Sequence, residues 1–126
     1  MSYRVAVRRK FIAQHYLIGG DWGSENELHS HAYVVEVQLE GPDLDVHGYL
    51  VDIVEIEASL EGVVARFADR TLNDQPEFAG LNPSIEHFSR ILYEGIQARL
   101  QSPGIRTLVV KLWENDDAWA SYQSDL

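Results

Sequence analysis

The sequence predicts an α+β domain in which two helices cover one face of a four-stranded antiparallel sheet. Three observations support this: a long segment in which apolar and polar residues alternate, two central segments with helical periodicity, and the element order strand, strand, helix, helix, strand, strand. The 126 residues fit a single domain over residues 1–126. A chain of this length can bury a hydrophobic core without disulfides.

The first two strands are predicted on either side of a glycine-containing loop. Residues 3–15 mix β-branched and aromatic residues, and a loop with three glycines follows at residues 18–24. Residues 29–40 alternate as a half-buried antiparallel strand does. One face carries Tyr33, Val35, Val37 and Leu39. Gly41 and Pro42 end this strand.

Two helices and two further strands complete the prediction. Asp52 is a candidate N-cap of the first helix, whose apolar stripe is Ile53, Ile56, Leu60, Val63 and Phe67. Asn82-Pro83 predicts the start of a second helix with proline at the first helical position. Its stripe is Ile85, Phe88, Leu92, Ile96 and Leu100. Residues 105–114 and 118–124 predict the last two strands. Four strands leave two edges, so we expect a closed oligomer.

Composition excludes several classes of function. With 20 acidic and 10 basic residues, the formal net charge of −10 disfavours binding to nucleic acid. The absence of cysteine excludes disulfides, thiolate zinc sites and thiolate catalysis. The N-terminal segment lacks the apolar run of a signal peptide, and no segment approaches the ~20 apolar residues of a membrane helix. We therefore expect a cytoplasmic protein without a membrane partner.

Three of the five histidines are candidate metal ligands. His29 and His31 lie two residues apart on the second strand and therefore point to the same face. His15 ends the first strand, which the loop can bring alongside. Three imidazoles with an open fourth position are typical of a catalytic zinc site, but ordinary surface or packed histidines are an alternative at this spacing. His47 and His87 carry no comparable pattern.

Several motifs, in order along the chain, resemble those of the family that contains 6-pyruvoyl-tetrahydropterin synthase and 6-carboxy-tetrahydropterin synthase. They are Phe11-Ile12-Ala13-Gln14-His15, Leu28-His29-Ser30-His31-Ala32-Tyr33, Gly48 to Ile53, Arg70 to Asp74, Asn82-Pro83-Ser84-Ile85-Glu86 and Glu114 to Tyr122. The resemblance implies the T-fold, in which the sheets of several subunits join around a barrel. It also implies a homo-hexamer of two trimers with pterin sites between subunits. Zinc is implied at His15, His29 and His31.

The chain departs from the family pattern at its proton-transfer groups. Glu25 stands where the family has a catalytic cysteine, and Ala68 and Asp69 stand where it has an Asp-His pair. Some members carry glutamate at the cysteine position and make a hydroxymethyl pterin. Glu25 is thus either a proton-transfer group or an exposed loop residue. Asp69 is either a catalytic candidate or a solvated aspartate at a helix end. The second alternative arises because an aspartate cannot replace a histidine that titrates near neutral pH.

Residues for substrate binding also follow from the resemblance. Glu114 matches the family's pterin anchor, whose two oxygens accept from a ring N–H and an amine together. Asn115 stands where threonine is usual, and Glu86 belongs to a motif of the pocket wall. Alternatively, Glu86 interacts with the helix dipole.

Three functions therefore remain open. The first is a homologue that binds a pterin or related heterocycle at a subunit interface without the standard synthase activity. The second is a zinc-dependent lyase acting on dihydroneopterin triphosphate through Glu25. The third is a non-catalytic, pterin-binding regulatory oligomer.

Overall fold

The computed structural model describes residues 1–101 and 103–126. The strands and helices are β1 (Tyr3–His15), β2 (His29–Gly41), α1 (Ile53–Val64), α2 (Ile85–Arg99), β3 (Thr107–Trp113) and β4 (Trp119–Asp125). The strands form one antiparallel sheet in the order β1-β2-β3-β4. The predicted α+β class and element order are confirmed. Within the described ranges, no helix is both long and apolar enough to cross a membrane.

The pairing of β1 with β2 positions the later site. The two strands pair along their full lengths, from Tyr3 opposite Gly41 to His15 opposite His29. The predicted alternation of β2 is confirmed, because its apolar face is almost completely buried. That face consists of Tyr33, Val35, Val37 and Leu39. His29 and His31 continue the same face towards the end of the sheet where β1 ends and β2 begins.

Both helices pack against the apolar face of the sheet. Helix α2 contacts β3 and β4, and α1 contacts β1 and α2. The predicted stripes supply the contacts, because each helix buries three of its predicted apolar residues at 2% exposure or less. These are Ile56, Leu60, Val63, Phe88, Leu92 and Ile96.

Helix α1 is shorter than its apolar stripe predicts. The carboxylate of Asp52 accepts from the backbone N–H of Val54 at 2.9 Å, as expected of an N-cap. The helix ends at Val64, and turns carry the chain on. Phe67 is still buried, where its ring packs edge-on against Phe78 and Phe88. Burial of an aromatic residue after the helix thus extended the apparent periodicity.

Helix α2 begins after Pro83 rather than at it. The hydroxyl of Ser84 accepts from the backbone N–H of His87 at 3.1 Å, so Ser84 is the N-cap. Pro83 is buried before the helix. The prediction of proline at the first helical position was wrong, because the serine directly after the proline supplies the cap.

The sheet face away from the helices carries a row of cations and aromatic rings. The amine of Lys111 lies 5.2 Å from the Trp113 ring centroid and 4.2 Å from that of Trp119. The guanidinium of Arg8 lies 4.6 Å from the Trp113 ring and pairs with Glu36 at 2.8 Å. Both tryptophans thus lie on the sheet face opposite the core. Their cation–π contacts with Arg8 and Lys111 stabilise the positions of these side chains.

Candidate metal centre

The three candidate histidines converge at one end of the β1–β2 pair. His15 and His29 are direct partners in the register, and His31 lies two residues further along β2 on the same face. The Nε2 atom of His29 lies 3.0 Å from that of His15 and 3.1 Å from that of His31. His15 is only 1% exposed, and the other two side chains are partly buried.

A hydrogen bond at the opposite ring nitrogen favours the metal-binding tautomer of His29. The Nδ1 atom of His29 lies 2.7 Å from the backbone carbonyl of Glu27, which can only accept, so this nitrogen carries the proton. The Nδ1 atom of His15 lies 3.2 Å from the Tyr33 hydroxyl. When Nδ1 is protonated in a neutral imidazole, Nε2 keeps a lone pair. A neutral His29 would therefore direct its Nε2 lone pair at the two neighbouring nitrogens.

The donor set fits a zinc ion. Ligands about 2.05 Å from a tetrahedral ion lie about 3.3 Å apart, close to the observed separations between the Nε2 atoms. His15, His29, His31 and Glu25 each offer a ligand atom, and these atoms lie within 4.8 Å of one another. Imidazole and carboxylate are both zinc ligands. One cation between the three Nε2 atoms could bind to all of them, so the residues fit the metal that the sequence motifs imply.

The environment keeps His15 neutral. Burial, followed by the neighbouring His31 and His29, lowers the pKa of His15 from 6.5 to about 4. Desolvation disfavours the charged imidazolium, and two adjacent imidazoles disfavour it further. At neutral pH this ring is therefore available as a ligand without first losing a proton.

Two carboxylates border the histidines from different segments. The Oε2 atom of Glu25 lies 2.8 Å from Nε2 of His29. The Oε1 atom of Glu114 lies 3.1 Å from Nε2 of His31 and 3.9 Å from that of His15. Burial, and then these two carboxylates, raise the pKa of Tyr33 above its usual value, so its hydroxyl keeps its proton. The site therefore combines three imidazole side chains with two acidic side chains.

Asn26 holds the turn that carries Glu25. Residues Gly23–Asn26 form a short 3₁₀ turn. The Asn26 side chain accepts from the Trp22 N–H at 2.7 Å and donates to the carbonyls of Leu17 and Gly20, each at 3.0 Å. The backbone carbonyl of Glu25 accepts from the Leu17 N–H at 2.9 Å. Glu25 is thus an exposed residue on a well-bonded loop.

Two further asparagines hold the chain just after β1. Asn73 accepts from the Tyr16 N–H at 3.0 Å and donates to the Tyr16 carbonyl at 2.9 Å. Asn82 accepts from the Ile18 N–H at 2.8 Å. These contacts join the loop after α1 and the segment before α2 to the chain that follows His15. Two distant segments of the chain therefore help to hold His15 in position.

Other candidate residues lie outside this group. Asp69 is exposed, has a left-handed φ of 61°, and donates its backbone N–H to the Ile12 carbonyl. Glu86 is exposed in the first turn of α2. Asn115 accepts from the N–H groups of Asp117 and Ala118, shaping the β3–β4 turn next to Glu114. Among the described residues, the metal-binding group includes none of these three.

The contacts that orient the histidine ligands were not predicted from the sequence. Tyr33 was assigned to the core face of β2 without a role for its hydroxyl, and the Glu27 carbonyl and Asn26 were not identified. The position of Tyr33, two residues after His31 on the same strand face, is a signal that could have suggested contact with the histidines. Neither backbone carbonyls nor loop asparagines leave a comparable sequence pattern.

Fold and site together define a small α+β domain that gathers three histidines and a glutamate, a group able to hold a metal ion, at one end of an antiparallel sheet. The chain belongs to the 6-pyruvoyl tetrahydropterin synthase family, whose sequence profile matches residues 4–125. It is 30% identical over 118 residues to a dihydroneopterin monophosphate aldolase from Pyrococcus furiosus, covering 93% of this chain and 94% of the relative.

Solved structures confirm the fold. A 6-pyruvoyl tetrahydropterin synthase from Caenorhabditis elegans superposes with a TM-score of 0.86 at 19% identity, covering 98% of this chain and 96% of the other. A Plasmodium vivax 6-pyruvoyltetrahydropterin synthase, described as a catalytic residue mutant with glutamate changed to alanine, has a TM-score of 0.81 at 13% identity. That match covers 100% of this chain and 99% of the other. The chain therefore has the T-fold of these proteins.

Proposed function

We propose that this protein is a zinc-dependent lyase that cleaves the side chain of a phosphorylated dihydroneopterin, with Glu25 as the proton-transfer group. The observation that carries the proposal is the 2.8 Å approach of Glu25 Oε2 to His29 Nε2, within the group formed with His15 and His31. The chain has no cysteine, and the Glu25 carboxylate lies next to the proposed metal ligands instead.

Similarity to known proteins supports this reaction class. The Pyrococcus furiosus relative is a dihydroneopterin monophosphate aldolase and aligns over most of both chains. The Plasmodium vivax protein has a catalytic glutamate, so a carboxylate can serve within this fold. The proposed substrate is a dihydroneopterin phosphate, either the monophosphate named for this relative or the triphosphate implied by the family resemblance.

His15, His29 and His31 would hold the zinc ion through their Nε2 atoms. When bound, zinc supplies Lewis-acid polarisation of the side-chain oxygens of the substrate. Tyr33 and the Glu27 carbonyl keep two of the imidazoles in the required orientation through Nδ1. The low pKa of His15 keeps this ligand neutral at physiological pH.

Glu114 would bind the pterin ring. Its carboxylate can accept from the ring N–H and the exocyclic amine, which fixes the orientation of the heterocycle. Because Glu114 borders His31 and Glu25 borders His29, a ring bound at Glu114 can extend its side chain towards the histidines. The anchor and the proton-transfer group then act on different ends of one substrate.

Glu25 would act on the side-chain hydroxyl. Its carboxylate accepts the proton of the hydroxyl on the second side-chain carbon, and that C–O group becomes an aldehyde. The bond between the first and second carbons breaks, and its electron pair passes to the first carbon, conjugated with the ring. This carbon takes up a proton and becomes a hydroxymethyl group. General acid–base catalysis of this kind contributes about 10²- to 10⁴-fold in rate.

The direct test is product formation by the zinc-loaded protein. We expect wild-type protein to convert dihydroneopterin monophosphate or triphosphate to 6-hydroxymethyl-dihydropterin, as detected by chromatography. Glu25→Gln should lower turnover at saturating zinc by at least about 100-fold. Glu27→Gln removes a charge from the same loop and should leave turnover unchanged. Equal turnover by wild type and Glu25→Gln would disprove the role of Glu25.

A second candidate is a pterin-binding protein without turnover, including a regulatory oligomer. The observation that favours it is the replacement of the family's Asp-His pair by Ala68 and Asp69, with Asp69 outside the metal-binding group of the described chain. Binding of neopterin without product formation from either phosphate ester would support this function and exclude the lyase.

The proposed assembly is a homo-hexamer of two trimers with the pterin site between subunits. The outer edges of β1 and β4 end the single described sheet, and pairing of such edges between copies would join sheets around a barrel. Native mass spectrometry should show six chains. A monomer at micromolar concentration would contradict this assembly.

A further inference from the structure

We propose that Glu25 is also a fourth, displaceable ligand of the metal, which closes the centre until substrate arrives. The inference rests on the proposed function for the metal at His15, His29 and His31, and it adds a resting state to that site. Glu25 thus has two successive roles: it binds the metal in the substrate-free protein and accepts a proton once it is displaced.

Convergence of four donors is the first argument. The ligand atoms of His15, Glu25, His29 and His31 all lie within 4.8 Å of one another. The 2.8 Å separation of Glu25 Oε2 and His29 Nε2 is near the about 3.3 Å edge of a tetrahedral zinc site. Three histidines alone leave a position open, whereas histidines with one carboxylate complete a tetrahedron.

Glu25 fits this position better than Glu114. The Glu114 oxygen approaches His31 at 3.1 Å and His15 at 3.9 Å, yet Glu114 is not a member of the converging group. Glu114 is also needed to bind the ring in the proposed reaction. Substrate binding would therefore use Glu114 while it displaces Glu25.

The setting of Glu25 makes it the mobile member of the set. The histidines lie on paired strands, and two of them are fixed through Nδ1. The Glu25 side chain is 49% exposed on a four-residue turn. Within residues 1–101 and 103–126, its carboxylate contacts one basic side chain, that of His29. Displacing Glu25 would break no contact with any other basic side chain of the described protein.

Cobalt substitution with azide as the probe tests the closed state. The visible absorption of bound Co²⁺ depends on coordination geometry and ligand type. We expect azide to change the spectrum of Co²⁺-loaded Glu25→Ala protein at a concentration at least about ten times lower than for wild type. Zinc affinity of Glu25→Ala, measured by competition with a chelator, should fall by about 10- to 100-fold.

Two controls make the result specific. Glu27→Ala removes a nearby charge, and Glu114→Ala removes the other bordering carboxylate; both should respond to azide as wild type does. The inference is overturned if wild type and Glu25→Ala take up azide equally, or if Glu114→Ala opens the site instead. A closed cobalt spectrum in a protein without lyase activity would contradict the proposed reaction alone, and failure to bind cobalt would contradict the metal centre itself.

Discussion

His15 and His29 face each other across β1 and β2, with their Nε2 atoms 3.0 Å apart. Strand pairing alone brings these rings together, since they are register partners at the end of a 13-residue strand pair. His31 joins them because it lies two residues along the same face. The geometry of the proposed metal centre is therefore a direct product of the β1–β2 register.

The Tyr33 hydroxyl should matter to the metal through His15. Tyr33→Phe removes the contact with His15 Nδ1 at 3.2 Å, so we expect zinc affinity to fall about 10-fold or more. The free energy of unfolding should fall by about 1 kcal/mol. Chelator competition and urea denaturation measure the two effects.

Tyr93→Phe is the matched control for that change. The Tyr93 hydroxyl is buried and has no hydrogen-bond partner among the described residues. Its removal should leave zinc affinity unchanged, and stability should stay the same or rise, because an unsatisfied buried hydroxyl is unfavourable. If both variants weaken zinc binding equally, the orienting role of Tyr33 is wrong.

Stability of the metal-free protein should depend on pH through His15. Its pKa is about 4 in the folded chain and 6.5 ordinarily, so between these values the unfolded chain binds more protons. The contribution to stability is therefore complete above pH 6.5 and is lost as pH falls towards 4. A shift of this size corresponds to about 3 kcal/mol.

Urea denaturation across that pH range, in the presence of a chelator, measures this effect. His15→Gln should flatten the dependence on pH, whereas His47→Gln, at an exposed loop position, should retain it. An unchanged slope in His15→Gln would assign the pH dependence to other groups.

The Asn26 side chain should support turnover by holding the Glu25 turn. Asn26→Ala removes three hydrogen bonds, so we expect stability to fall by about 1–2 kcal/mol and kcat by about 10-fold. Zinc content at saturating metal should change little, because three of the four proposed ligands, the histidines, lie on the strands. Ser24→Ala, in the same turn, should behave as wild type. Loss of most zinc from Asn26→Ala at saturating metal would show that the turn also holds the histidines in position.

The Glu114 carboxylate should govern affinity for the heterocycle. Glu114→Gln removes a charged acceptor, which is worth about 1.5–3 kcal/mol, so neopterin should bind about 10- to 100-fold more weakly. Fluorescence titration of neopterin measures this change. Asp116→Asn, in the adjacent turn, serves as the charge-matched control. Equal affinities of wild type and Glu114→Gln would remove Glu114 from the binding site.

Periodicity made the secondary structure and the histidine group predictable. The alternation through Tyr33, Val35 and Val37 fixed both the strand and its buried face, and the same two-residue period placed His29 and His31 together. The start of α2 was misplaced, because proline before a serine cap and proline within the first turn give similar local sequences.

Long-range polar contacts were beyond prediction from the sequence. Asn73 binds the backbone of Tyr16, 57 positions away, and Asn82 binds Ile18, 64 positions away. Neither periodicity nor turn preference encodes such pairs, since they depend on how the helices return to the sheet. The same holds for Glu25, whose loop position was clear but whose distance from His29 required the tertiary structure.

Zinc content per chain tests the central claim most directly. Elemental analysis should be made on protein purified without a chelator or a histidine tag, alongside His29→Ala and His47→Ala variants. We predict about one zinc per chain in wild type and His47→Ala, and a loss of most zinc in His29→Ala. Wild-type protein that holds no zinc even after incubation with excess metal would contradict the metal centre and the lyase proposed from it.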